Sequence, residues 1–215
     1  IIFYPHPTAS RTGASSKHPS TPIPTTALAP SRDSIVRPSR ACLMASGGAA
    51  RGRLAEERKA WRKSHPLVGA VILSASSLLL GFVAKPAMLP DGSVNLMLWN
   101  CVVPGKEGTD WEGGYFPVTL HFTENYPSIP PTCKFPRRFF HVNVYDSGDV
   151  CLSILGDAWA PSITVRQILI GIQELLENPN PASPAQDFAY DVFAENMPEY
   201  KRRVREQAKR YPSLV

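Results

Sequence analysis

Cys151 lies in the run Phe139-Phe140-His141-Val142-Asn143-Val144-Tyr145-Asp146-Ser147-Gly148-Asp149-Val150-Cys151-Leu152-Ser153-Ile154-Leu155, where a single thiol follows an Asn-bearing turn and is flanked by apolar residues. No Cys or His stands near it at metal-ligand spacing, and His141 is ten residues away. The thiolate is the nucleophile, and an unperturbed Cys is only a few per cent ionised at neutral pH. Attack on an amide therefore needs a paired base such as His. An incoming thioester is far more reactive, and exchange between thiols needs no strong activation. A lone Cys of this kind suits a carrier that accepts an acyl group and passes it to an amine. Asn143 has amide hydrogens that could steady the oxyanion of the transfer, a role worth about 3–4 kcal/mol in other acyl-transfer sites. It could equally be a turn residue bonding its own backbone, and Cys151 a buried structural thiol.

The elements around this run can be read from periodicity. Arg53–Lys63 has a helical pattern, with Leu54 and Trp61 on one face and Arg58, Lys59, Arg62 and Lys63 supplying a cationic one. Solvation is the ordinary reading of such a face. Pro66 ends the helix. Asp91-Gly92 signals a hairpin turn. Val94–Val103 and Tyr115–Phe122 alternate as strands, and Thr132–Phe135 reads as a short one after the proline-studded Tyr126–Pro131, which suits a cis bond. Thr164-Val165-Arg166-Gln167 is a capping box that opens a helix with the stripe Ile168, Leu169, Ile172, Leu175 and Leu176. Ser183-Pro184-Ala185-Gln186 reads as a second capping box with Pro184 at the first helical position, and a basic helix covers about Glu199–Lys209. A helix, a meander of strands and then helices argue for an α+β domain with an antiparallel sheet.

The length of 215 residues allows one domain plus tails. Of the net charge of +5, residues 1–43 carry +4, leaving about +1 for 44–215, so the basicity belongs to the tail and a nucleic-acid partner loses its main support. Cys42, Cys101, Cys133 and Cys151 have no zinc-type pairing and read as free thiols in a reducing compartment. Residues 1–43, rich in Ser, Thr and Pro, are expected to be a disordered or non-native N-terminal extension: translated sequence upstream of Met44, a disordered arm, or an organelle transit peptide. Leu67–Val83 is uncharged over a length at the lower limit for a membrane span. A span, an apolar loop or core helix, and a retained non-coding insertion are the readings open to it.

The segment from about Gly52 to Val215 resembles the ubiquitin-conjugating (UBC) family, and within it the SUMO-conjugating branch, most closely in its plant forms. The resemblance rests on Arg53-Leu54-Ala55-Glu56-Glu57-Arg58-Lys59-Ala60-Trp61-Arg62-Lys63, Asn95-Leu96-Met97 with Trp99, Pro104-Gly105-Lys106 through Trp111-Glu112-Gly113-Gly114, Val150-Cys151-Leu152-Ser153-Ile154-Leu155, and Gln167-Ile168-Leu169 to Leu176. It implies a UBC fold over 44–215: an N-terminal helix, a four-stranded antiparallel meander and C-terminal helices. The apolar stretch at about 67–80 is then an atypical insertion between Pro66 and Gly81, which favours the gene-model reading. The implied activity is receipt of SUMO on Cys151 as a thioester from the heterodimeric activating enzyme, then transfer to a substrate lysine as an isopeptide. ATP is consumed by the activating enzyme, so no cofactor and no metal are expected.

By the same resemblance Asn143, Tyr145 and Ser183 join Cys151 as catalytic residues. Tyr190, Ser147, Asp149, Thr132, Pro184 and Ala185 bind the substrate, and Tyr145 and Tyr190 wall the incoming lysine. Arg58, Lys59, Arg62 and Lys63 dock SUMO and the activating enzyme. SUMO ligases and lysine-bearing proteins are the further partners, neither nucleic acid nor a membrane is expected, and nucleus and cytoplasm are the implied locations. Several residues depart from the family pattern. Val142 replaces a proline, which is expected to loosen the turn holding Asn143. The Gly156–Pro161 loop is about two residues shorter than usual. Ser183 replaces an acid, removing a base while keeping a helix cap. Thr132 and Asp149 replace a Lys and a Thr, which should weaken preference for an acidic residue two places after the acceptor lysine. The rival readings are a catalytically weakened UBC-fold module that only binds SUMO or a ligase, and a conjugating enzyme charged with ubiquitin.

Overall fold

Leu54, Glu57 and Trp61 recur at helical spacing and are all buried, which sets the inward face of α1 (Arg40–Ser64). The computed structural model describes residues 40–64 and 81–213, all within the compact unit Pro38–Val215. The expected N-terminal extension up to Ser39, Pro66 and the apolar stretch at 67–80 lie outside the described residues. α1 starts at Arg40 rather than Arg53, so residues 40–43, assigned above to the extension, are helical. Ala41, Leu43, Met44 and Ala45 are strong helix formers, and they carry the helix back beyond its amphipathic portion.

The sheet is an antiparallel meander in the order β1 (Val83–Met88), β2 (Val94–Pro104), β3 (Tyr115–His121) and β4 (Thr132–Lys134). The β1–β2 turn holds Asp91-Gly92, with Gly92 at φ +80°. Alternation in β2 is clean only from Trp99 onward, because the register shifts between Pro86 and Ala87 and the first half of β2 is evenly half-buried. The Tyr126–Pro127 bond is cis. α2 (Val165–Glu177) opens with the expected capping box: the Thr164 hydroxyl accepts from Gln167 N, and the Gln167 side chain accepts from Thr164 N. Its stripe Ile168, Leu169, Ile172, Leu175 and Leu176 is buried, within a core that also takes Leu54, Trp99, Val103, Phe116 and Leu120. Burying one such side chain stabilises the fold by about 1.5–3 kcal/mol.

Glu57 links α1 to α2. It accepts from Arg53 Nε at 2.9 Å and from Val165 N at 3.3 Å, while Arg53 donates onward to the Pro161 and Ile163 carbonyls. One buried carboxylate thus meets both a cation and the N-terminus of α2. α3 (Asp187–Glu195) and α4 (Met197–Lys209) complete the chain. The second capping box does not form. α3 begins at Asp187 with Gln186 as its N-cap and no side-chain cap bond, so Ser183 caps nothing and Pro184 precedes the helix. The reason is tertiary. Ala185 N and Gln186 N donate to the Val142 carbonyl at 2.8 and 3.3 Å, and the Gln186 amide reaches Phe139 O, Val144 O and Asp146 Oδ1.

Candidate active site

The thiol is positioned by a tight hairpin hung from the edge of the sheet. Val144 and Val150 bridge, Tyr145 N donates to Asp149 O, and Gly148 N donates to Tyr145 O. The hairpin extends β4 through Phe135 N to Gly148 O and Val150 N to Cys133 O. Gly148 has φ +95°, and a Cβ there would sit 2.1 Å from Phe135 O, so both backbone shape and close approach demand glycine. Cys151 N then donates to Asn143 O at 2.9 Å, which fixes the thiol beside the Asn turn. Cys101 and Cys133 are buried and burial pushes both thiols up, that of Cys101 to about 12. Among the described cysteines only Cys151 is partly exposed. The structural-thiol reading fits Cys101 and Cys133, not Cys151.

Asn143 is 1% exposed and fully engaged. Its Nδ2 donates to Asn180 O at 2.8 Å and to Ser183 O at 2.9 Å, and its Oδ1 accepts from Asn180 N at 2.8 Å. Both amide hydrogens therefore go to backbone carbonyls, and an oxyanion gains one only if the 180–183 segment gives it up. The geometry makes Asn143 a bracket between the thiol's turn and the segment leading to α3. His141 supports the bracket from below. It is fully buried, its Nδ1 accepts from Asn143 N at 3.0 Å, and burial pushes its pKa down to about 4. Its Nε2 faces the Leu175 and Leu176 carbonyls without closing a hydrogen bond of normal geometry. Val142, at the position expected to loosen the turn, is fully buried and its carbonyl holds Ala185 and Gln186.

The bracket brings Ser183 to the thiol, with Oγ 3.7 Å from Cys151 Sγ. Pro184 is exposed and Ala185 half-buried beside it. Tyr145 is 47% exposed on the hairpin, and Tyr190 is half-buried in α3. On the hairpin's other side Ser147 donates to Asp149 at 2.7 Å and Lys134 approaches the same carboxylate at 3.1 Å. These partners, Ser147 first and then Lys134, hold Asp149 below the usual carboxylate range. Thr132, two residues before Lys134 on β4, is exposed. The Lys134 cation on β4 is thus paired by Asp149.

Arg58, Lys59, Arg62 and Lys63 are not part of this cluster. They line, with Ala55 and Leu96, a concavity of about 540 Å3 where α1 meets β2. Lys134 and Asn180 were missed by sequence reasoning, which read Gln186 only as part of a capping box. Strand alternation from Thr132 would have flagged Lys134, whereas Asn180 and Gln186 carry no local signal. Among the described residues no group of three His, Cys, Asp or Glu side chains is placed to hold a metal.

A half-exposed thiol on a rigid hairpin, clamped beside an Asn-anchored loop in an α+β meander, is the arrangement of an acyl-carrying protein. The chain belongs to the ubiquitin-conjugating enzyme family, which residues 53–208 match. It is similar to the SUMO-conjugating enzyme SCE1 of Arabidopsis thaliana, at 60% identity over 79% of this chain and 99% of that protein. It is also similar to the SUMO-conjugating enzyme ubc9 of Dictyostelium discoideum (50% identity, 77% of this chain and 97% of that protein) and to UBC9 of Caenorhabditis elegans (48%, 76% and 92%).

Proposed function

We infer that this chain is a SUMO-conjugating enzyme. Cys151 accepts the C-terminal carboxyl of SUMO from the activating enzyme as a thioester and surrenders it to a substrate lysine. In the first step the Cys151 thiolate attacks the incoming thioester carbonyl and the donor thiolate leaves. In the second a neutral amine attacks the same carbonyl, the N–C bond forms as the C–S bond breaks, the sulfur leaves as the Cys151 thiolate, and the nitrogen gives up one proton to solvent. The observation that carries the reading is the partly exposed Cys151 fixed at 2.9 Å to the Asn143 carbonyl, in a chain whose relatives at 48–60% identity are SUMO-conjugating enzymes.

Asn143 and Ser183 frame the reacting carbonyl, and Tyr145 and Tyr190 strip water from the lysine ammonium, which favours its neutral form. Ser147, Asp149, Thr132, Pro184 and Ala185 contact the substrate around that lysine. The Asp149–Lys134 pair weakens preference for an acidic residue two places after it. Arg58, Lys59, Arg62 and Lys63 receive SUMO and the activating enzyme, and SUMO ligases bind the charged form. Nucleus and cytoplasm are the proposed locations, which the unpaired Cys101, Cys133 and Cys151 suit.

Incubation with SUMO, activating enzyme and ATP, read on a non-reducing gel, tests the proposal. A thiol-sensitive adduct absent from Cys151→Ala is expected. Its absence from the wild-type chain refutes the reading, and an adduct formed with ubiquitin in place of SUMO reassigns the modifier.

A further inference from the structure

The hairpin that carries the thiol runs antiparallel to β4 in a fixed register. Lys134 bridges Asp149, Phe135 N donates to Gly148 O at 2.9 Å, and Val150 N donates to Cys133 O at 3.0 Å. Carried two residues further, that register sets Thr132 opposite Cys151. On its other side Thr132 pairs with His121, the last residue of β3. His121, Thr132 and Cys151 therefore make one row across the sheet, on the face turned away from the core. His121 and Thr132 are exposed and Cys151 is partly so, whereas Leu120 and Cys133, one residue along, are buried.

Strands lie about 4.8 Å apart, which places Thr132 about 5 Å and His121 about 10 Å from the cysteine along this row. An extended peptide rises about 3.3 Å per residue with alternating side chains, so the residue two places after one that faces the sheet also faces it, about 7 Å further on. With an acceptor lysine at Cys151 and the peptide crossing β4 toward β3, that second side chain descends between Thr132 and His121. Thr132 has no charge to offer it. Lys134 is already engaged by Asp149 at 3.1 Å. The imidazole is the cationic group next in the row.

We propose that His121 is a specificity-determining residue of the acceptor groove, whose imidazolium binds a carboxylate side chain two places after the acceptor lysine and so makes the choice of substrate depend on pH. The proposal rests on the reading of Cys151 as an acyl carrier that discharges onto lysine. Histidine is the side chain whose charge ordinarily changes between about pH 5 and 8, so the selecting charge is present in mildly acidic solution and lost in alkaline solution. A substrate Glu, with an ordinary pKa of about 4.3, stays ionised throughout that range. A lysine in the same place would select equally at both ends of it.

The groups facing the ring are few. Leu98 of β2 stands opposite His121 on one side and Thr132 of β4 on the other, and neither titrates. Lys134 lies two residues along β4, Asp149 lies opposite Lys134, and Cys151 lies beyond Thr132. The Asp149 carboxylate, held low first by the Ser147 hydroxyl and then by Lys134, also feels His121, so the ring and the hairpin are near neighbours.

The test uses the full chain charged with the modifier. Single-turnover discharge is followed onto paired peptides that differ only in Glu or Ala two places after the lysine, at about pH 6 and about pH 8, on either side of the range in which imidazoles change charge. The Glu/Ala ratio cancels the pH dependence of the amine and of the thioester, which both peptides share. For the wild-type chain the ratio should be about twofold to fivefold higher at the lower pH, the size of effect a part-exposed ion pair has. His121→Ala should give the low ratio at both pH values, and His121→Lys the high ratio at both. Those three results together support the proposal. It is overturned if the wild-type ratio does not move with pH, if His121→Ala keeps the wild-type pH dependence, or if His121→Lys leaves the ratio at the higher pH unchanged. Charging of the wild-type chain reports separately on Cys151 as the carrier, so failure of that reading is distinguishable from failure of this one.

Discussion

Replacing Asn143 with Ala removes three hydrogen bonds: two from Nδ2 to the Asn180 and Ser183 carbonyls and one from Asn180 N to Oδ1. Each contributes about 0.5–1.5 kcal/mol net, and the Asn180 N–H loses its partner, so Asn143→Ala should destabilise the domain by about 2–4 kcal/mol. At about 2–4 °C per kcal/mol for a domain of this size, the midpoint falls by about 5–15 °C. Loading should survive, because Cys151 is held through the Asn143 main-chain carbonyl, which the substitution keeps. Discharge onto lysine should fall about 10²-fold, since the loop carrying Ser183 is no longer held against the thiol and small misplacements at a reacting centre have effects of that size. Thermal melts, amide exchange at Asn180 and single-turnover discharge together measure the three parts. An unchanged midpoint and unchanged Asn180 exchange, beside a discharge defect of about 10²–10³-fold, would refute the bracket. That outcome would mean the amide acts on the reacting carbonyl directly, as an oxyanion donor does.

His141 is buried as the neutral ring, with its pKa pushed down to about 4 from 6.5. Between those values the unfolded chain binds a proton that the folded chain does not, so stability should be lost as pH falls from about 6.5 to about 4. The loss amounts to about 3 kcal/mol, and His141→Gln should flatten that slope in urea melts. Asp149→Thr releases Lys134 from its 3.1 Å partner. It should raise discharge onto peptides with Glu rather than Ala two places after the lysine by several-fold, an energy of about 1 kcal/mol as for half-exposed pairs, and an unchanged ratio counts against the pairing argument. Glu57→Ala leaves Arg53 and Val165 N without their shared partner. The expected destabilisation is about 2–4 kcal/mol with little change in discharge per folded molecule, measured by denaturant titration beside single-turnover assays.

The class of fold was legible because its evidence is local and repetitive. The stripe from Ile168 to Leu176, the Thr164–Gln167 box and the Asp91-Gly92 turn each encode their structure within a few residues, and the structure places all of them as read. The second capping box misled because Ser183-Pro184-Ala185-Gln186 has the right local spelling. The backbone donors it would have used are taken by Val142, more than forty residues earlier in the chain. Glu57 was hidden among the charges of a basic helix, although it falls three residues after Leu54 on the inward face.

Sequence alone determined that Cys151 is a candidate acyl carrier, since a thiol with no base or metal ligand nearby suits thioester exchange, while a buried structural role stayed open until the fold left it partly exposed. Tertiary structure decided what surrounds that thiol. The two hydrogens of Asn143 go to carbonyls 37 and 40 residues away, Ser183 faces the sulfur across 32 residues, and Asp149 meets Lys134 across 15. Side-chain chemistry is written in each residue. Which donor meets which acceptor depends on distances that exist only after the sheet, the hairpin and the segment before α3 have packed.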